Sequence, residues 1–292
     1  MVTQLARAYA TCEAMARSHY ENFPVASMLL PAAMRPHIAA VYAFARVADD
    51  FADEGSRPVA ERYRLLDGWL ARLRACTNGH GSPSPGDQRD DLIFLAVADS
   101  IRARDLPVSL FEDLLSAFRQ DVETRRYRTW ADVLDYCRRS ANPVGRLVLR
   151  IAGYREAELD QSSDALCTAL QLANFWQDFG RDFRAGRLYV PLDDCAAAGA
   201  SEADLEAGRL TPEWRAVMDT AIGRTRDLFA AGRVVCDGVR GRLRHELRFT
   251  WLGGTRILER VARADDRGLI NRPALGAGDA AWLLARALAW NV

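Results

Sequence analysis

Apolar residues recur at three- and four-residue steps along most of the chain, and strict alternation is scarce, so the pattern predicts helices rather than strands. Alanine, leucine and arginine dominate and β-branched runs are few, in keeping with that period. The clearest case is 36–54. Pro36 suits a helix start, Ile38, Val41, Tyr42, Ala45, Ala48 and Phe51 supply an apolar stripe, and Gly55 stops it. A helix over 59–76 follows, with Tyr63, Leu66, Leu70 and Leu73 facing inward. The glycine-, serine- and proline-rich stretch TNGHGSPSPGDQRD (77–90) predicts a loop. Further helices are expected at 90–103, 109–123, 130–139, 143–152, 162–181, 201–206, 212–236 and 239–262. A short extended piece at 188–191 ends on Pro191. Neither a repeat nor a sharp shift of composition divides the 292 residues, so one all-α domain over 1–292 is expected.

The stretch DAAWLLARALAW (279–290) predicts a terminal apolar helix too short to span a bilayer. Packing back onto the domain, a dimer contact and a peripheral membrane contact all stay open for it. Composition narrows the rest. Lys plus Arg and Asp plus Glu both total 39, which gives no electrostatic reason to expect a nucleic-acid partner. The six cysteines, at 12, 76, 137, 167, 195 and 236, form no CxxC pair and no zinc spacing with the four histidines, so reduced thiols in a cytoplasmic protein are expected. MVTQLAR leads into no apolar segment and no run of 18 uncharged apolar residues exists, so neither a secretory signal nor a spanning helix is expected.

Two acidic stretches change the picture. VADDFADE (47–54) sets Asp49 and Asp53 four residues apart, and Asp50 with Glu54 repeats the spacing one position round. Alone, this reads equally as a solvated charge run or as a cation site. QLANFWQDFGRD (171–182) places Asn174, Asp178 and Asp182 at four-residue steps, with Gln171 on nearly the same face, amid Leu170, Ala173, Phe175 and Trp176. Carboxylates in such surroundings need a compensating charge. Two acidic helices facing one another imply a small cluster of Mg²⁺ ions, two or three, clamping a diphosphate. A di-iron centre would need a Glu-x-x-His repeat on two helices, and His19, His37, His80 and His245 are scattered instead. Phe44, Phe51, Tyr127, Tyr136, Val144, Leu147, Leu172, Phe175 and Trp176 are ordinary core residues one by one; as a set they suit an isoprenoid chain and a carbocation.

Four ordered motifs, DDFADE (49–54), YCRRSANPVG (136–145), NFWQDFGRD (174–182) with GRLYVP (186–191), and LGGTRIL (252–258), resemble the squalene and phytoene synthases, the head-to-head prenyl synthases, over about residues 12–262. The resemblance implies an all-α isoprenoid-synthase helical bundle around a deep central apolar cavity. It implies Asp49, Asp53, Asn174, Asp178 and Asp182 as metal-associated residues, the four aspartates being catalytic together with Tyr136 near the reacting carbons. Substrate contacts are implied for Arg46, Gln171, Asn174, Gln177, Arg181, Tyr127, Ser18, His19, Tyr20 and Tyr189. The family's second motif usually reads RDxxED, whereas here Gln177 and Arg181 replace an arginine and a glutamate. With SHYENFPVAS (18–27), this is most similar to the bacterial hydroxysqualene synthases of the hopanoid pathway. That implies Mg²⁺-dependent conversion of presqualene diphosphate and water to hydroxysqualene, without NADPH. It also implies hand-over from a presqualene diphosphate synthase and to a flavin-dependent hydroxysqualene dehydroxylase. The alternatives are a condensing synthase of the same family, making presqualene diphosphate, dehydrosqualene or phytoene, and a catalytically silent assembly protein of the same fold. Localisation is expected to be cytoplasmic, with contact at the inner face of the cytoplasmic membrane left open.

Overall fold

The computed structural model describes residues 3–18, 30–77, 88–264 and 272–290. In chain order the helices are α1 (Gln4–Ser18), α2 (Arg35–Asp53), α3 (Val59–Thr77), α4 (Gln88–Arg104), α5 (Val108–Asp121), α6 (Trp130–Ser140) and α7 (Asn142–Ala152). They continue with α8 (Ala157–Gln177), α9 (Phe179–Arg184), α10 (Leu192–Ala198), α11 (Glu202–Glu206), α12 (Pro212–Gly238), α13 (Gly241–Ala262) and α14 (Ala277–Ala289). Among the described residues the only β pairing is an isolated bridge between Arg126 and Leu188. Two compact units emerge: Met1–Glu123 with Pro143–Glu156, and Thr124–Asn142 with Ala157–Val292.

In the first unit α2 is the central helix. Ile38, Val41 and Ala48 of its expected stripe are buried, but so are Ala43, Phe44 and Val47, because neighbours cover more than one side. Phe44 meets Phe111, Trp69 and Phe94 at ring-centroid distances of 5.3, 5.8 and 6.0 Å, and Phe51 meets Trp69 at 5.4 Å. Both rings belong to this aromatic core. Burying such side chains is the main source of stability here, about 1.5–3 kcal/mol each. α1 turns the small residues Ala8, Cys12 and Ala16 inward. Above them Tyr9 donates its hydroxyl to Asp99 at 2.7 Å, and His37 Nδ1 lies 2.9 Å from Ser100 Oγ. His37 is therefore part of a polar tie, and burial lowers its pKa.

α2 stops where expected. Glu54 turns extended and Gly55 takes φ +74°, a value costly for any residue with a Cβ. Residues 78–87 of the expected loop lie outside the described residues.

The second unit is organised on α8 and α12. Ser162 of α8 accepts from the Val235 N–H at 2.9 Å and donates to the Ala231 carbonyl at 3.0 Å, stitching the two helices. At Gly232 the helices approach so closely that an added Cβ would lie 2.6 Å from the Leu166 nitrogen. Trp176 is wholly buried and donates to Thr225 at 2.8 Å. The helix expected over 162–181 begins five residues earlier and breaks at Asp178, whose φ of −93° and ψ of 8° separate α8 from α9. α14 packs back on its own unit: Asp279 binds Arg256 and Arg260 of α13, and Trp290 donates its indole N–H to Asp237 at 2.8 Å. No helix among the described residues is long and apolar enough to cross a membrane. All six cysteines are free thiols, and burial pushes Cys12 up to about 12.

Candidate active site

The first acid row occupies the last turns of α2. Four-residue spacing lays Arg46 on Asp50, so its guanidinium is 2.6 Å from Asp50 Oδ1. It also lies 2.6 Å from Glu54 Oε1 and 3.6 Å from Asp49 Oδ2. Asp53 and Glu54 are exposed, and the Asp49 side chain is 45% exposed. The stretch is thus neither a bare charge run nor a closed cage: it is an acidic helix end whose carboxylates gather on Arg46. Ser18, at the end of α1, is exposed and donates to the Met15 carbonyl at 2.9 Å. His19 and Tyr20 lie outside the described residues.

The second row lies at the junction of α8 and α9. Although the helix breaks at Asp178, the Asp178 N–H still donates to the Asn174 carbonyl and the Asp182 N–H to the Asp178 carbonyl, each at 2.8 Å. The four-residue register of Asn174, Asp178 and Asp182 therefore survives. Asn174 is exposed; Gln171, Asp178 and Asp182 are half-buried; Arg181 is exposed. Gln177 is buried, and its side-chain amide donates to the Pro273 carbonyl at 2.5 Å.

Beside this row the fold gathers four rings from separate segments. Phe175 of α8 stacks on Tyr189 at 3.7 Å with an interplanar angle of 3°. Tyr127 lies 5.6 Å from Tyr136 and 5.8 Å from Tyr189, and Tyr136 lies 6.1 Å from Phe175. Tyr127, Tyr136 and Phe175 are buried and Tyr189 is half-buried. Local devices fix each ring. A capping box between Thr129 and Asp132 starts α6, which carries Tyr136. Leu188 N–H donates to the Arg125 carbonyl and Leu192 N–H to the Tyr127 carbonyl, both at 3.0 Å, laying 188–191 alongside 125–128.

Arg126 clamps that pairing. It donates to Glu202 Oε1 at 2.9 Å and Oε2 at 2.7 Å, and to the Gly186 carbonyl at 2.7 Å. The Arg126 guanidinium holds the Glu202 carboxyl below the usual carboxylate range. Sequence reasoning missed Arg126 and Glu202, which carry no local signal of their pairing.

The donor set fits a hard divalent ion. The first row offers carboxylate oxygens and the second carboxylate and amide oxygens, and no histidine or cysteine stands among them. Among the described residues no three His, Cys, Asp or Glu side chains converge as a ready-made cage. Magnesium needs none, since it takes one or two carboxylates and completes its shell with water and phosphate. Asp178 Oδ1 is buried without a directed hydrogen bond, yet Arg272 Nε lies 2.8 Å away, so a cation already rests there.

Comparison with known proteins gives these features a family. The family model for squalene/phytoene synthase matches residues 16–279. The chain is 39% identical to the hydroxysqualene synthase of Zymomonas mobilis over 210 residues, covering 71% of this chain and 67% of that one. It is 30% identical to the 15-cis-phytoene synthase of Synechococcus elongatus over 240 residues, covering 78% and 75%. Among solved structures it resembles squalene synthase HpnC from Alicyclobacillus acidocaldarius, with TM-score 0.81, 39% identity and coverage of 90% and 95%. The chain adopts the expected all-α fold typical of isoprenoid synthases, with no β-sheet among the described residues. Matched over most of its length, with exchanges at Gln177 and Arg181 in the second acid row, the chain belongs to the squalene/phytoene synthase family and is an enzyme of that prenyl-condensing class.

Proposed function

We propose that this enzyme converts presqualene diphosphate and water to hydroxysqualene and diphosphate. The observation that carries this reading is Gln177. Where the family pattern has an arginine, this chain has an uncharged amide committed to the Pro273 carbonyl. A site that must hold two diphosphates during condensation loses more from that exchange than one that handles a single diphosphate. Identities agree in rank: 36–39% to three hydroxysqualene synthases against 30–32% to phytoene synthases.

Asp49, Asp53, Asn174, Asp178 and Asp182 would hold Mg²⁺, which when bound neutralises the diphosphate so that it departs with the C–O electron pair. Arg46 offers a guanidinium to a phosphate oxygen. Phe175, Tyr189, Tyr127 and Tyr136 present ring faces that attract the cyclopropylcarbinyl cation without a strong nucleophile to trap it. The cyclopropane opens, a water oxygen forms the new C–O bond, and its proton passes to the departing diphosphate, with the Tyr136 phenol as relay. Electrons balance without a reductant.

The family's condensing reaction, joining two prenyl diphosphates, is the second reading, favoured by the match to phytoene synthases over 76–78% of the chain. One experiment separates the two. Purified protein with Mg²⁺ is given presqualene diphosphate, or farnesyl diphosphate alone, with and without reduced nicotinamide. The first reading expects a thirty-carbon alcohol from presqualene diphosphate only. A thirty-carbon diphosphate or hydrocarbon formed from farnesyl diphosphate alone replaces it with the second.

A further inference from the structure

Residues 272–276 run into α14 and touch the end of α8 at two adjacent side chains. Gln177 Nε2 donates to the Pro273 carbonyl at 2.5 Å, and the Gln177 residue is only 7% exposed. Arg272 Nε lies 2.8 Å from Asp178 Oδ1, which has no directed hydrogen bond, so attraction of charge rather than a bonded fork holds the pair. The far end of the segment is anchored. Asp279 accepts the Gly276 N–H at 2.7 Å and the guanidinium groups of Arg256 and Arg260 at 2.9 and 2.5 Å. A fixed base and one buried amide tether thus deliver a guanidinium onto a carboxylate of the second acid row.

We propose that Arg272 is a positioning residue that stands in for a divalent cation on Asp178, so that metal binding displaces it and loosens residues 272–276. This rests on the reading above only in taking Asp178 as a metal ligand. Two cations on the one Asp178 carboxylate repel each other at close range, and that repulsion couples the two events. The Arg272 side chain is 47% exposed and that of Asp178 18%, so the exchange is modest: about two- to fivefold in metal affinity. Gln177 sets where the segment lies and carries no charge of its own.

The test needs no turnover. Mn²⁺ binding is measured by electron paramagnetic resonance on the full chain, and hydrogen exchange of the peptide covering 272–276 is followed with and without Mg²⁺ plus inorganic pyrophosphate. Arg272→Gln should bind Mn²⁺ about two- to fivefold more tightly than the wild type, and Arg272→Lys should restore the wild-type affinity. In the wild type, Mg²⁺ with pyrophosphate should speed exchange in the segment. Gln177→Ala should speed it before any metal is added. Unchanged or weaker Mn²⁺ binding by Arg272→Gln, or a segment whose exchange ignores Mg²⁺ and pyrophosphate, overturns the proposal while leaving the reaction untouched. A different product from prenyl diphosphates overturns the reaction and leaves these measurements standing. Failure of wild type and Arg272→Gln alike to bind Mn²⁺, with inorganic pyrophosphate present, overturns both.

Discussion

Gly232 tests whether the α8–α12 seam sets the geometry of the second acid row. A Cβ at this position would lie 2.6, 2.7 and 2.8 Å from Leu166 N, Cα and Cβ. Two of these are backbone atoms of a helix, which cannot rotate aside as a side-chain tip can. Ser162, one turn earlier on α8, is bonded to both the Ala231 carbonyl and the Val235 N–H, so parting the helices strains those bonds as well. Overpacking of this kind costs about 1–3 kcal/mol. Replacing a helical glycine by alanine returns up to about 1 kcal/mol, leaving a net loss of up to about 2 kcal/mol, about 1 at the middle of the range. Gly223, on the same helix, has nothing within 4 Å of an added Cβ, so Gly223→Ala collects the helix gain alone. The two variants should therefore differ by about 2 kcal/mol, or roughly 4–8 °C in melting midpoint.

Urea and thermal unfolding followed by far-UV circular dichroism give the comparison. Midpoints are compared instead of extrapolated free energies, because two compact units need not unfold in one step. Turnover adds a second readout. Asn174 and Phe175 ride on α8 beyond the contact and Asp178 follows its last residue, and ångström-scale displacement of reacting groups costs on the order of a hundredfold. Gly232→Ala should lose activity beyond its fraction unfolded, whereas Gly223→Ala should keep it. A Gly232→Ala enzyme with the wild-type midpoint, or equal losses in both variants, refutes the seam as the source of the geometry.

Other outcomes follow from single contacts. Tyr189→Leu removes the ring stacked on Phe175 at 3.7 Å and should lower kcat about tenfold with a smaller change in KM, while Tyr189→Phe keeps most of it; steady-state kinetics of the pair decide. Asp178→Asn should lower kcat/KM about a hundredfold and raise the Mg²⁺ concentration giving half-maximal rate, and an unchanged Mg²⁺ titration removes Asp178 from the ligand set. Glu202, held by Arg126, has its folded pKa below the unfolded value of about 4.3. Its contribution, up to about 1 kcal/mol after solvent screening, is present above that value and is lost as pH falls through the folded pKa. The stability gap between wild type and Glu202→Gln should accordingly be full at neutral pH and close in acid, as unfolding midpoints across pH will read.

Much of this was legible because helix period and breakers act locally. Pro36 and Gly55 bracket α2 within one and two residues of its observed ends, and half of the stripe between them is buried. The break at Asp178 was invisible for a physical reason: the i→i−4 bonds on either side continue at 2.8 Å, so the spacing that reveals a helix persists through it. α10 was hidden behind Pro191, read as the end of an extended piece although proline also suits the start of a helix, its role here. The acid rows and the tyrosines could be named from their motifs, but period says which residues share a face, not which faces meet. Arg126 and Glu202 are 76 positions apart, and Gln177 and Pro273 are 96 apart, so only the folded chain joins them.

Asp178 and Asp182 of the second acid row open the short helix α9, whereas the first row, Asp49 to Glu54, sits at the C-terminal end of α2. There the exposed carbonyls already make the field negative, and carboxylates cost stability, about 0.3–1 kcal/mol each at exposed positions. A chain shaped by stability alone would put bases there. This chain keeps the acids and sets arginines against them. Arg46 lies on Asp50 and Glu54, Arg57 donates to the Asp50 and Glu54 carbonyls at 3.3 and 3.2 Å, Arg62 donates to the Ala52 and Gly55 carbonyls, and Arg272 lies on Asp178. Guanidinium suits the task, being always charged, weakly hydrated and carried on a long stem that can re-aim. On the proposed reading, arginines that yield their place would let carboxylates reserved for Mg²⁺ sit at a helix end whose dipole disfavours them.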